Sequence, residues 1–291
     1  MSRLRAGALI ATIVTIVTGL AGALASAGET PVDLPGLLAR VGGRVQAFYD
    51  RAQSIVCAET ISFEFLDSSL IRDPRNRRLL YDLRMSWEKS ADGPDIEGTA
   101  LRTLKAVNGR PPKANDEAKC LDPKPTAVDT LSFLLPHHQK EYTFNYKGVG
   151  KTGDGHTAVM VDYAPLSKEK PKYVWNQSCF SVDAPTRTRG RVWIDRFGGD
   201  VLRIDETMAG PLDVDVPKAE QRRSGVTSLT LDRSDTTVRY KTVTFTDPNE
   251  IVLLPDEYES LVVVRGQPRQ RTMHKYTGYQ RFVTGGRLVQ P

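Results

Sequence analysis

Between Leu79 and Trp87 the chain keeps a period of two: Leu79, Tyr81, Leu83, Met85 and Trp87 alternate with Leu80, Asp82, Arg84, Ser86 and Glu88. Successive side chains of a strand point to opposite faces, so this segment predicts a strand with one buried and one wet face. The same period returns in Ile61, Phe63 and Phe65, in Tyr142, Phe144 and Tyr146, and in Thr157, Val159, Val161 and Tyr163. Half-wet strands belong to antiparallel sheets, because parallel sheets are covered on both faces and read as unbroken apolar runs. An all-helical chain and a doubly wound one are thereby excluded.

Two segments carry the helical period instead. Leu34, Leu37, Leu38, Val41, Val45, Phe48, Ala52 and Ile55 recur at steps of three, four and seven, which predicts a helix of about 22 residues, or roughly 33 Å. Gly42-Gly43 weakens it by about 1 kcal/mol per glycine relative to Ala, so packing on a sheet has to hold it. Cys57 is expected buried at its end. Thr126 to Leu135 reads as a short second helix stopped by Pro136. Further along, Arg191 to Asp195 and Val201 to Asp205 form a hairpin whose bend draws positive φ from Gly198-Gly199. Strands are also expected at Val238 to Thr246, Tyr258 to Arg265 and Met273 to Thr284, for a total of about ten strands and two helices.

The first residues read differently. Arg3 and Arg5, the apolar stretch from Ala6 to Leu24 and then Ala25-Ser26-Ala27 have the three parts of a secretory signal peptide, with cleavage after Ala27. The alternative is a retained membrane anchor. Residues 28–291 follow as one domain without a Pro/Gly/Ser linker, and export places the mature protein in the periplasm. No stable transmembrane anchor is expected after cleavage. The net charge of +5 includes the two leader arginines, so it gives little reason to expect nucleic acid as a partner. An oxidising compartment lets the three cysteines form one disulfide, and Cys120 and Cys179, both in polar stretches, are the expected pair.

Several motifs invite stronger chemistry and fail on context. Gly148-Val149-Gly150-Lys151-Thr152 has Asn145 where a phosphate-binding loop needs its first glycine, and reads as a hairpin turn. Ser167-Lys168-Glu169-Lys170 lies between Pro165 and Pro171, where no helix can bring its Lys beside the Ser. Lys151-Thr152-Gly153 also precedes it, against the order of penicillin-recognising enzymes. The four histidines show no i, i+4 pair, and His137-His138 read as a solvent-facing loop, so no metal site is expected. Arg187 to Arg191 reads as a solvated strand edge. A hydrolase with a dispersed Ser/His/Asp triad stays a distant third possibility.

The leader, the long helix and the hairpin Gly190-Arg191-Val192-Trp193-Ile194-Asp195, turn, Val201-Leu202-Arg203-Ile204-Asp205 together resemble the LolA/LolB-type lipoprotein carriers of bacterial envelopes. Tyr276-Thr277-Gly278-Tyr279-Gln280-Arg281-Phe282 is similar to their last strands. The resemblance implies an α+β fold: a strongly curved antiparallel sheet, an unclosed half-barrel of about ten to eleven strands, with the long N-terminal helix and the short helix on its concave side. It also implies a non-enzymatic binding protein without a cofactor, holding a lipid, an acyl chain or an apolar segment in that concavity. Phe63, Phe65, Tyr81, Leu83, Met85, Trp87, Tyr142, Phe144, Tyr146, Val159, Val161 and Trp193 are the expected lining. The alternative is an envelope interaction or structural module, with a protein partner and a filled core. Ala91 to Gly98, Ser167 to Arg189 and Val214 to Gly225 stand as insertions against the family pattern.

Overall fold

The computed structural model describes residues 32–51, 54–66, 76–90, 93–116, 130–176, 179–183, 187–246, 249–283 and 287–289. The expected signal peptide lies outside them, as do Cys120 and the Thr126 to Asp129 part of the expected second helix. All that follows concerns the compact unit Leu34–Pro291.

The unit opens with helix α1 (Leu34–Arg51) and continues through strands β1 (Ser54–Leu66), β2 (Arg77–Lys89) and β3 (Ile96–Val107). Two 3-10 turns, Ser132–Leu134 and Gln139–Glu141, lead into β4 (Tyr142–Lys151) and β5 (Thr157–Pro165). Next come β6 (Lys172–Asn176), β7 (Cys179–Asp183), β8 (Thr188–Asp195), β9 (Val201–Met208) and β10 (Leu212–Asp215). After the short helix α2 (Lys218–Ser224) the chain ends in β11 (Ser228–Thr246), β12 (Asn249–Val264), β13 (Arg269–Val283) and β14 (Arg287–Val289).

Twelve strands make one sheet in the order β3-β2-β1-β13-β12-β11-β9-β8-β5-β4, with β10 added beside β11 and β14 beside β13. β6 and β7 form a separate two-stranded sheet. Every pairing given for the main sheet is antiparallel, and β3 and β4 end the path without meeting, so the sheet is not closed. Register shifts at Val56/Ala58, Leu80/Tyr81, Tyr146/Gly148, Trp193/Ile194 and Arg239/Tyr240 break the ladders. Extra residues of this kind bend a strand and deepen its twist, which is how so wide a sheet curves. The expected antiparallel half-barrel with a long N-terminal helix is therefore the observed fold.

Its inner face is the core. Leu79, Tyr81, Leu83, Met85 and Trp87 are all buried, as the period of two predicts. From α1, Leu37, Val41, Val45 and Phe48 pack down onto that face. The helix stops at Arg51, four residues short of the expected end. Ile55 satisfies the helical spacing by coincidence and belongs to the row Ile55, Cys57, Glu59, Ile61 of β1, opposite Met85, Leu83, Tyr81 and Leu79. Cys57 is buried in a strand, not at a helix end.

Other local expectations shift for physical reasons. The described part of the second helix is a single 3-10 turn in which Phe133 and Leu134 are buried. Gly199 alone takes positive φ in the β8–β9 bend, at 75°. Gly148 and Gly150 lie inside β4, and the turn comes later, where Thr152 and His156 exchange a backbone hydrogen bond of 2.9 Å. β8 lies between β5 and β9, so the basic run from Arg187 to Arg191 enters an internal strand rather than an edge. Of the three expected insertions, the first gives way to β3 at Ile96, the second contains β6 and β7, and the third contains α2.

Candidate functional site

The twelve expected lining residues divide into two inner-face groups and one outlier. Tyr81, Leu83, Met85 and Trp87 lie toward the β3 end, where Trp87 meets Phe48 of α1 edge-on with ring centroids 5.4 Å apart. Phe63 packs there on Ile61, Leu79, Tyr81 and Val107, and Phe65 is partly buried farther along β1. Val159, Val161, Tyr142 and Phe144 lie toward the β4 end, around Phe133. Phe133 itself stacks on Tyr163 at 4.1 Å. Tyr146 is 41% exposed.

Trp193 is the outlier. It alternates with the buried Val192 and Ile194 and pairs with Arg203, so it faces the outer side of the sheet. There its Nε1 donates to Asp205 Oδ2 at 2.9 Å, Arg203 Nε donates to Asp205 Oδ1 at 2.7 Å, and Thr237 Oγ1 donates to the same oxygen at 2.8 Å. Arg191 holds Asp162 through both its Nε and Nη2, and Thr207 holds Asp235. These groups border an outer hollow of about 620 Å³. Acids and bases neutralise one another along it, so its field favours neither sign of ligand.

Among the residues of the first group, with Glu59 opposite Tyr81 and Arg102 opposite Leu83, lies a buried polar cluster that no sequence pattern signals. Glu59 of β1 accepts from Arg102 Nε at 2.6 Å and Nη2 at 3.1 Å, and from His274 Nδ1 at 2.8 Å. Arg102 belongs to β3 and reaches across β2 to make this pair. Tyr258 presents its ring edge-on to His274 at 5.2 Å. Burial pushes the Glu59 carboxyl up, but the hydrogen bonds from His274 and Arg102 outweigh it and hold the carboxyl below its ordinary value. Beside it, burial and then the Glu59 charge push the Cys57 thiol up, so the thiol stays protonated and is no activated nucleophile. Tyr276 is fully buried, and its hydroxyl makes no hydrogen bond.

A second polar pair stands on the β4 side, where the buried Tyr163 donates through its Oη to Oε1 of the half-buried Glu206 at 2.7 Å. Tyr163 fits because the residue opposite it is Gly190, and a Cβ there would come within 2.4 Å of the Tyr163 ring. The first residue of the resembling hairpin is therefore a glycine for a packing reason.

No protein-family model and no curated protein matches this chain. What the protein does has to be argued from its geometry. No helix among the described residues is long and apolar enough to cross a membrane.

α1 covers part of the inner face. It is seated by its apolar stripe and by polar links that include Arg44 Nε to Gly198 O at 3.1 Å, Arg44 to Asp200 at 3.5 Å, and Gln139 Nε2 to Leu38 O at 3.0 Å. Along the seam runs a gap of about 50 Å³ bordered by Val45, Phe48, Leu131, Val201 and Val252. Protein interiors are otherwise close-packed, so this seam is a weak line in the core.

His137 and His138 also depart from expectation. They are half-buried rather than solvated, and with Asp95 they form a group of three possible metal ligands among the described residues. The adjacency of two histidines after a helix-stopping proline was legible in the chain; the carboxylate that joins them comes from a different hairpin.

Proposed function

We propose that the protein is an exported, non-enzymatic binding protein that holds a lipid, an acyl chain or an apolar segment against the inner face of its sheet, under α1. One observation carries the reading: an unclosed curved sheet presents Trp87, Met85 and their neighbours to a single amphipathic helix whose seam is imperfectly packed. Lifting α1 exposes Leu37, Val41, Val45, Phe48 and Tyr49 at about 1.5–3 kcal/mol each, or about 7.5–15 kcal/mol together. An acyl chain of about 15 methylenes brings about 12 kcal/mol at about 0.8 kcal/mol per group, which is of the same size. The resemblance of the β8–β9 hairpin to lipoprotein carriers supports the same reading.

A second reading, a module with a filled core and a protein partner, is favoured by the burial of Tyr81, Leu83, Met85, Trp87, Val159 and Val161 with α1 in place. Native mass spectrometry on protein purified from its own membrane fraction separates the two. A co-purifying lipid is the expected result. A single ligand-free mass that does not change on adding phospholipid or fatty acid contradicts the proposal and leaves the second reading.

A further inference from the structure

We propose that Asp95, His137 and His138 form a binding site for a borderline divalent transition-metal ion, of which Zn²⁺ is the type. The three residues come from two places that the fold brings together. Asp95 immediately precedes β3, and its backbone oxygen accepts from Ser90 N at 2.8 Å, which closes the β2–β3 connection. His137 and His138 sit between the two 3-10 turns, in a loop pinned at both sides. Leu134 and Leu135 are fully buried before it, His138 N donates to Leu135 O at 2.9 Å, and Gln139 Nε2 donates to Leu38 O and Leu134 O.

The geometry is that of a ligand set. Asp95 Oδ1 lies 3.3 Å from His137 Nε2 and 3.0 Å from His138 Nε2, and the ligand atoms of all three residues lie within 4.8 Å of one another. Bonds of about 2.0–2.2 Å in a tetrahedron put neighbouring ligand atoms about 3.3–3.6 Å apart, and both Asp95–His separations come within a few tenths of an ångström of that spacing. The imidazole rings stand 4.3 Å apart and tilted by 46°, which directs both nitrogens at one carboxylate without stacking the rings.

The surroundings fit the same purpose. His138 Nδ1 lies 3.2 Å from Glu141 Oε1. A carboxylate accepts only, so Glu141 favours the proton on Nδ1, and an ion that takes the place of a proton between Nε2 and Asp95 meets the Nε2 lone pair. This carboxylate–histidine arrangement orients metal-binding imidazoles and raises their basicity. His137 Nε2 is shielded from solvent and makes no hydrogen bond. Two nitrogen lone pairs and a carboxylate oxygen repel one another unless a proton or a cation stands between them, and two imidazoles with one carboxylate suit Zn²⁺, Cu²⁺ or Ni²⁺ better than Ca²⁺ or Mg²⁺. Three protein ligands leave the fourth position to water or to a donor from a partner. The bound ion ties the β2–β3 connection to the loop that touches α1.

The test is zinc titration of the full chain, freed of metal with a chelator, against a competing chromogenic indicator. One equivalent is expected, and Asp95→Asn, His137→Ala and His138→Ala each weaken it by more than about tenfold. Glu141→Gln, which removes no ligand, weakens it by about 10–100-fold. X-ray absorption at the zinc edge is expected to show nitrogen and oxygen neighbours with no sulfur, and circular dichroism of each variant confirms its fold. Absence of binding overturns the proposal. So does sulfur coordination, or equal affinity in a folded variant lacking both histidines.

Discussion

Glu59 and Arg102, 43 residues apart in the chain, meet in a two-pronged ion pair whose side chains are 0% and 8% exposed. Removing Glu59 takes from the buried Arg102 and His274 the carboxylate that both of them hold, and breaking a buried pair in this way costs about 3–5 kcal/mol. Glu59→Met should therefore lower unfolding stability by about that amount in urea titrations. Glu59→Met with Arg102→Met together should cost clearly less, because two apolar side chains of similar volume pack where the charges were. A double variant whose loss equals the sum of the losses of Glu59→Met and Arg102→Met measured singly would show that the pair is not coupled.

The same pair sets a pH dependence. The Glu59 carboxyl is held below its ordinary value in the fold, so it contributes stability that is fully present above its unfolded value near about 4.3 and is lost as pH falls through the folded value. Between about pH 5 and pH 3 the urea midpoint of the native chain should fall more steeply than that of Glu59→Gln, which cannot titrate. Parallel profiles would contradict this account.

Gly42 and Gly43 adjoin on α1 but face different surroundings. A Cβ on Gly43 meets nothing within 4 Å, whereas one on Gly42 comes within 2.8 Å of Gln139 Nε2 and 3.2 Å of Leu134 O and Pro136 Cγ. Gly43→Ala should stabilise the protein by about 0.5–1 kcal/mol through helix propensity. Gly42→Ala should fall below it by about 1–3 kcal/mol, because Gln139 must give up its bonds to Leu38 O and Leu134 O, and Leu134 and Pro136 must yield by a few tenths of an ångström. Thermal and urea unfolding of the matched pair reads the difference.

Gly190 faces Tyr163 across β8 and β5, with the ring lying where a Cβ would stand. Gly190→Ala should displace Tyr163, break its bond to Glu206 and destabilise the protein by about 1–3 kcal/mol. Gly190→Ala combined with Tyr163→Val should recover part of that loss. A single variant as stable as the native chain would remove the packing explanation for this glycine.

What the chain made legible follows from which forces are local. β2, which runs Arg77–Lys89, is legible from Leu79 to Trp87 because every inward position of that stretch is large and apolar and nearly every outward one polar. β3 escapes notice although its burial alternates cleanly, since its inward positions include Gly98, Ala100 and Arg102 while Leu101 points outward and is exposed. Arg102 is inward because Glu59 awaits it, a fact of pairing that no period in β3 encodes. The basic run at Arg187 to Arg191 looks like a strand edge until Asp162 of the neighbouring strand is seen to hold Arg191. His137 and His138 likewise look solvated until Asp95 joins them. Long-range partners are what a pattern of one or two turns cannot carry.

For the proposed ligand to reach the inner face, α1 has to leave its seat. A Cβ on Gly199 would stand 3.5 Å from Arg40 Cβ, within reach of a disulfide, so Arg40→Cys with Gly199→Cys can lock the helix to the β8–β9 bend. The left-handed φ of 75° at Gly199 costs about 1–2 kcal/mol with a side chain, less than the about 2–4 kcal/mol typical of a disulfide. Binding of a fluorescent fatty acid to this variant is then measured before and after reduction. The account predicts that the oxidised protein binds little and that reduction restores binding; equal binding in both states would contradict it.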